Sequence, residues 1–321
     1  MFSVRSIRFR YTLRALFVFM AFFGIWCAYH ANRTIRERRA VRVLDHYGAT
    51  FRYRNDTEGI SFIHSPSILY QRITSAIWRE PSVTSVAIVT RLEPEIVEAL
   101  AALPQLRALK LNASLPVGAD SRDRHWLGIV YGRADAPDGS IARVLASCRL
   151  RSISLDRFSF SNSDFDAISR HVSLEELSLE GTNLSDETIA KLIAMPKLRQ
   201  FRFCYCQVTG EGLAEMHGSI SLERIFASGV PLSPEFAAYI AKCPRFIELT
   251  VSHPKVGDDF VASLGAHSSL RSLSLGDTSV TEKSIEAIEK LPELGLIHLP
   301  EKTFTKEGRD RLRLSRPHLQ M

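Results

Sequence analysis

The sequence predicts an α/β solenoid: short parallel strands along a concave face, helices along the convex face, and a transmembrane helix ahead of both. Three observations predict it. A 24-residue unit recurs in register, opening at Trp126, Leu150, Leu174, Leu198, Leu222, Phe246, Leu270 and Leu294, and such a period marks a repeat architecture. Within each unit the apolar residues first alternate and then fall three apart, a strand pattern followed by a helix pattern. Residues 15–32 contain no Asp, Glu, Lys or Arg and follow an arginine-rich start.

The strand half is carried by positions 1, 4 and 6, as in Leu174, Leu177 and Leu179 or Leu198, Phe201 and Phe203. Alternation of this kind gives a strand one buried face. Position 11 is apolar again in Phe160, Leu184, Val208, Leu232, Val256, Val280 and Phe304. Positions 16, 19 and 22, such as Ile189, Leu192 and Met195, make the apolar stripe of an amphipathic helix. Position 12 joins the halves with Ser161, Ser185, Thr209, Ser233, Gly257, Thr281 and Thr305. Six of these seven carry a hydroxyl that can cap a helix N-terminus. Two residues further on, Glu187, Glu211, Glu235, Asp259 and Glu307 place negative charge in the first turn, where the helix dipole favours it. Pro234 suits a first helical position.

The unit reads L-x-x-L-x-L, with Thr182, Cys206 and Thr278 at position 9. It resembles the leucine-rich repeat family, and its length with an outer helix is most similar to the ribonuclease-inhibitor-like subclass. The resemblance spans about residues 83–317. It implies stacked coils sharing one core, with a parallel sheet inside and helices outside. The first repeat, 83–105, is one residue short. The next opens at Leu106, and its second half, 112–125, is rich in turn residues. The unit from Trp126 keeps Ile129, Tyr131, Ile141 and Val144 in frame, yet GRADAPDGS in its middle is loop-like. The repeat domain is therefore expected at 83–317, irregular at about 112–140, with a tail at 318–321. In the last unit Arg309 replaces a buried aliphatic residue, as suits a terminal cap.

Ahead of the repeats, residues 1–14 form a basic tail with Arg5, Arg8, Arg10 and Arg14. Residues 15–32, about 27 Å as a helix, match the thickness of a bilayer's hydrocarbon core. A cleaved signal peptide fits less well, because Tyr29 would occupy the −3 position of a cut after Ala31. An uncleaved single-pass anchor is expected. Arg33, Arg36, Arg38, Arg39 and Arg42 follow it and nearly balance the arginines before it, so charge barely sets orientation; the repeats are expected on the non-cytoplasmic side. Residues 33–82 should continue the helix to Gly48, then give strands at 49–54 and 60–65 and a helix from Ser65 to Arg79, covering the solenoid's open end. The sequence RFRYTLRALF, followed by an anchor and repeats, is similar to bacterial membrane-anchored leucine-rich-repeat proteins.

The net charge of +6 does not mark a nucleic-acid binder. Residues 1–54 hold eleven arginines against Glu37 and Asp45, so the excess belongs to the N-terminus and the repeats are mildly acidic. Five cysteines, with no Cys-x-x-Cys pair, point to no zinc site. Cys148, Cys206 and Cys243 fall on the core side, whereas Cys204, at a strand end, is expected to be exposed. No P-loop, G-x-S-x-G or H-E-x-x-H appears. His171 and His267 share position 22, which points to repeat packing. No cofactor, metal or catalytic residue is expected.

Positions 2, 3, 5 and 7 should line the concave face. They place Lys110, Arg151, Asp156, Glu175, Arg199, Arg202, Glu223, Arg224, Phe226 and Glu248 there in mixed signs. Phe226, a central aromatic among arginines, has the composition of a binding hot spot. The expectation is a membrane-tethered, non-catalytic, monomeric scaffold binding a protein or peptide through Arg151, Glu175, Arg199, Arg202, Arg224, Phe226 and Glu248. The alternative is an accessory or enzyme subunit whose activity sits in the irregular 112–140 region.

Overall fold

The structure, a computed structural model, describes residues 4–53, 83–113 and 133–321; the side chains of residues 4–17, 27 and 30 lie outside the described ones. So do the expected strand at 60–65, the helix from Ser65 to Arg79, and Ile129 and Tyr131.

In chain order the strands are β1 (Thr50–Tyr53), β2 (Val83–Val89), β3 (Ala108–Asn112), β4 (Ala134–Asp135), β5 (Ser152–Asp156), β6 (Phe158–Ser159), β7 (Glu176–Glu180), β8 (Gln200–Cys204), β9 (Arg224–Ser228), β10 (Glu248–Ser252), β11 (Ser272–Ser274) and β12 (Leu296–His298). Among the described residues, ten of them form one sheet in the order β1-β2-β3-β5-β7-β8-β9-β10-β11-β12. All neighbours are parallel except β1, which runs antiparallel to β2. From β5 onwards the pairing follows the sequence period: Ser152, Glu176, Gln200, Arg224, Glu248, Ser272 and Leu296 stand side by side. The covalent repeat is thus the turn of the coil. Within each strand the position 4 and 6 side chains are buried, as in Leu177 and Leu179, Phe201 and Phe203, and Leu249 and Val251. They face a layer of helices that includes Asn162–Ser169, Asp186–Ile193, Pro234–Ile240 and Asp258–Ser263, whose own apolar residues are also buried. Phe203 touches Phe201 and Phe236 at ring-centroid distances of 4.8 and 5.9 Å, tying strand to helix across successive coils.

The irregularity expected at about 112–140 shows in the sheet. The unit opening at Trp126 supplies no rung of this sheet, because β3 bonds directly to β5, with Ala108 opposite Ser152. The chain between them serves a single rung through β3 and the helix Ser140–Ser147, where Ile141 and Val144 are buried as expected. Ala134–Asp135 pairs instead with Phe158–Ser159, off the main sheet.

The unit from Leu198 also departs from its neighbours. Where a helix is expected it has a three-residue 3-10 turn, Leu213–Glu215. Gly210 and Gly212, both at φ +79°, take a left-handed backbone that breaks a helix before it can propagate.

Both ends of the sheet are covered. A single helix, Val4–His46, runs into the first rung, and Ala40, Leu44 and Ala49 are buried there. Gly48 stops it at φ 75°. β1 then lies against the edge of β2, blunting a row of unpaired backbone groups. At the far end Gln320 bridges to Leu296 on β12 and Leu319 is buried. The guanidinium of Arg316 donates to the carbonyls of Glu289, Leu291, Pro292 and Leu294 at 2.9–3.4 Å. The tail, silent as sequence, is a cap. Arg309 is half-buried and donates to the carbonyls of Leu299 and Pro300.

Four position-12 hydroxyls act as helix caps: Ser161, Ser185, Thr281 and Thr305 each accept a backbone N–H from the first turn. A second set of contacts runs between coils. Asp186 accepts from the N–H and hydroxyl of Thr209, each at 2.9 Å, and from the N–H of Gly210 at 2.6 Å. Asp258 does the same for Thr281 at 2.8 Å, and also accepts from the Ser284 hydroxyl. Glu282 accepts from the N–H of Thr305. Acids at position 13, one residue before those expected to offset a dipole, therefore stitch one coil to the next.

Candidate binding face

Among the described residues no helix packs on the other side of the sheet, away from the helix layer, and its side chains form rows because the rungs are in register. At the strand entrance Arg151 and Glu175 approach to 3.8 Å. Arg199 and Glu223 form a two-pronged pair with both N–O distances 3.0 Å. One residue on, Arg224 meets Glu248 at 3.4 Å. In each case the partner lies one coil away, at the start of the neighbouring strand or just before it. The predicted charges are thus brought together, but largely with each other. Exposed pairs of this kind stabilise by about 0.2–1 kcal/mol each and leave the face nearly neutral at its entrance.

The middle row is different. It runs Ser154, Ser178, Arg202, Phe226, Thr250 and Ser274. The Arg202 guanidinium stands 4.3 Å from the centroid of the Phe226 ring, a cation–π contact. Phe226 is half-buried and Arg202 exposed. Flanking them are hydroxyl side chains too short to cover either. The pair makes a raised, amphipathic platform near the middle of the sheet. Its geometry refines the hot-spot expectation: the ring does not stand alone among arginines but carries one of them on its face.

The third row, at the strand exits, holds Asn112, Asp156, Glu180, Cys204, Ser228 and Ser252. Asn112 donates to Asp156 at 2.5 Å and accepts from Arg157 at 2.6 Å. Arg157 also approaches Asp156 at 3.4 Å. Burial raises the carboxyl of Asp156, opposed by Arg157 and Lys110. Burial and the neighbouring Asp156 charge both raise Glu180, opposed by Arg202 and Arg157. Two carboxylates in adjacent rungs thus share three cations. Arg157 itself takes a left-handed backbone, φ 61°, at the place where the next coil has Gly181 at φ 59°. Asn112, Arg157 and Glu180 escaped the sequence reading. Position 7 holds Asp156 and Glu180 in adjacent units and flags the pair, whereas Asn112 falls in the turn-rich half of its unit.

Cys204 corrects an expectation. It is buried between Glu180 and Ser228 in this row, and its thiol is pushed up to about 11 by that burial. Cys148, Cys204, Cys206 and Cys243 are all free thiols. His267 is buried and contacts the Cys243 carbonyl at 3.0 Å, and His171 contacts Ser173 at 3.1 Å; both are packing residues. Among the described residues no group of three or more His, Cys, Asp or Glu is placed to hold a metal ion.

The fold is a solenoid of the leucine-rich-repeat type. No family profile matches the chain, and no curated protein matches it. Among solved structures it is similar to the Rad7–Elc1 complex in yeast, at 16% identity over 99% of this chain and 92% of that one, with a TM-score of 0.46. It is also similar to an internalin from Listeria monocytogenes, at 13% identity over 78% of this chain and 93% of that one, with a TM-score of 0.32.

The carboxylate pair gives a pH-dependent expectation. Its carboxyls are raised in the folded state, so the protonated form is favoured there, and the associated stability is lost as pH rises through the folded values. Glu180→Gln removes that cost and is expected to raise stability at pH 7 in chemical denaturation. The gain should vanish below pH 4.5, the ordinary glutamate value, where both states are protonated in either protein. A gain independent of pH would mean that burial and repulsion of the carboxylate are not its source.

Proposed function

We propose that the chain is a membrane-tethered, non-catalytic scaffold, acting as a single copy, that binds a protein or peptide on the open face of its sheet. The Arg202–Phe226 platform is the observation that carries the binding half. An aromatic ring paired with arginine and set among short side chains gives a partner apolar area and directed donors at one place. The paired charges around it, Arg151–Glu175, Arg199–Glu223 and Arg224–Glu248, set register and exclude mismatched partners more than they add affinity. A helix in most of the 24-residue units supports the ribonuclease-inhibitor-like subclass.

The tethering half is supported by the exposed surface of the N-terminal helix. Val18, Phe19, Met20, Phe22, Phe23, Ile25 and Trp26 are each more than half exposed, on every side of the helix. Water is a poor neighbour for such a band; lipid is a good one. Among the described residues no helix is long and apolar enough to cross a membrane; the first three residues of the charge-free stretch lie outside the described side chains. The proposal uses the whole of 15–32 as the anchor, with the repeats on the non-cytoplasmic side.

The test is recovery of a partner by the full chain in detergent. The full chain is needed because a cut at Gly48 would strip Ala40 and Leu44 from the core. Arg202→Glu and Phe226→Ala are each expected to weaken recovery at least about ten-fold, as for a hot-spot residue. Glu211→Lys, on the opposite layer, should leave it unchanged. Equal recovery by all three variants would remove the platform from the interface.

A further inference from the structure

The helix Val4–His46 does more than attach: beyond the apolar band it divides into two faces. Arg33, Glu37, Ala40 and Leu44 recur at helical spacing on the side that meets the first rung, with Ala40 and Leu44 buried and Arg33 paired to Glu37 at 3.3 Å. Ile35, Arg38, Arg39, Arg42 and His46 recur on the other side, all exposed. Arg36 is exposed between the two. Arg36, Arg38 and Arg39 form no ion pair with another described residue, and Arg42 makes only a 3.5 Å contact to the Arg38 carbonyl. A free cationic face thus lies opposite the solenoid and directly continues an exposed apolar band.

We propose that Arg36, Arg38, Arg39 and Arg42 bind the headgroups of anionic phospholipids. The inference rests on the membrane reading above and adds the lipid class and the residues. At 1.5 Å rise per residue, Arg36 lies about 6 Å and Arg39 about 11 Å beyond Asn32. That is within a side chain's reach of the headgroup layer and close to one screening length at physiological salt. Arg42, about 15 Å out by the same rise, comes within range when the helix leans toward its free face. Membrane helices commonly tilt by about 20°. The solenoid does not obstruct this lean, since it packs on the opposite face. Because Ala40 and Leu44 lock helix to solenoid, the lean also sets how the binding face stands relative to the bilayer. Glu37 and Asp45 are the acids on this stretch; Glu37 lies on the packed side and Asp45 near its end, so neither sits within the free arginine face.

The experiment reconstitutes the full chain in phosphatidylcholine vesicles carrying trace spin-labelled phosphatidylglycerol or phosphatidylcholine, and reads the immobilised lipid. The wild type is expected to prefer the anionic probe at 0.1 M salt and to lose most of that preference at 1 M. Each basic residue near the surface is worth about 1 kcal/mol, roughly five-fold. The variant R36Q/R38Q/R39Q/R42Q should therefore reduce the preference at least about two-fold, even with Arg5, Arg8, Arg10 and Arg14 still present. An undiminished preference in that variant, or none in the wild type, overturns the proposal. Retention on neutral vesicles after alkaline carbonate reports the anchor separately. If the chain washes off neutral vesicles, flotation with phosphatidylglycerol vesicles decides: binding lost in the quadruple variant upholds the arginine face alone, and no binding sinks both.

Discussion

Replacing Asp164 by alanine is expected to cost about 4 kcal/mol, judging from two charge-assisted bonds at about 1.5–3 kcal/mol each. Asp164 is fully buried, an unusual place for a carboxylate. It accepts the N–H groups of Ile141 and Ala142 at 2.9 and 3.1 Å and the hydroxyl of Ser161 at 2.8 Å. The first two belong to the helix Ser140–Ser147, one coil earlier. That helix begins after Gly139, which offers no side chain to cap it. Asp164 supplies the missing cap from the next coil, and its charge meets the positive end of the helix dipole. Alanine would leave the two helix amides without their acceptor, while the Ser161 hydroxyl keeps its 2.8 Å contact to Ser163. Because each coil touches only its neighbours, the damage should be local. Hydrogen exchange is expected to accelerate at Ile141 and Ala142 and through β2 and β3, while β9 to β12 keep their protection. Uniform acceleration across the sheet would mean the coils unfold as one unit and the capping contact is not a separable joint.

A valine at Gly218 is expected to cost about 3 kcal/mol or more, at the upper end of what overpacking does. A Cβ built there would overlap the backbone carbonyl of Lys242, at the end of the next helix. Backbone cannot swing aside as a side-chain tip can. The tight fit follows from the short 3-10 turn at Leu213–Glu215, which takes less room than a helix and lets the following coil close in. Lys242 fastens the contact by donating to the carbonyls of Ala214 and Met216. Thermal denaturation measures the loss. Little change would show that the 241–243 segment has slack that the packing does not suggest.

Most of the coil was legible because its signals are local and repeat. Leucine and phenylalanine at positions 4 and 6 say where each strand lies and which face is dry, and the observed register follows them rung by rung. What escaped depends on contacts between coils. Asp164 stands where neighbouring units have Thr188, Phe236, Phe260 and Ser284, and an acid at a core-facing position was a readable anomaly. Its partner, a helix lacking a cap 23 residues upstream, was not, because only the stacked rungs bring the two together. Gly218 likewise stands where other units carry Arg170, Ala194, Lys242, Ala266 and Lys290, but the carbonyl that demands it belongs to the next turn of the coil. After Leu106 the turn-rich composition marks the stretch as irregular even though Ile129 and Tyr131 keep the period, and β3 bonds directly to β5. On the open face, the residue types were legible and their pairing was not. Arg202 and Phe226 sit 24 positions apart, and only the register turns that spacing into a cation over a ring.

The most direct measurement of the central claim places a photoreactive phenylalanine analogue at position 226 of the full chain in its own membranes, with Glu211 on the opposite layer as the matched control. The account expects a discrete adduct to one protein or peptide from position 226, lost when Arg202 is changed to glutamate, and none from position 211. Adducts of equal yield from both positions, or from neither, would contradict it.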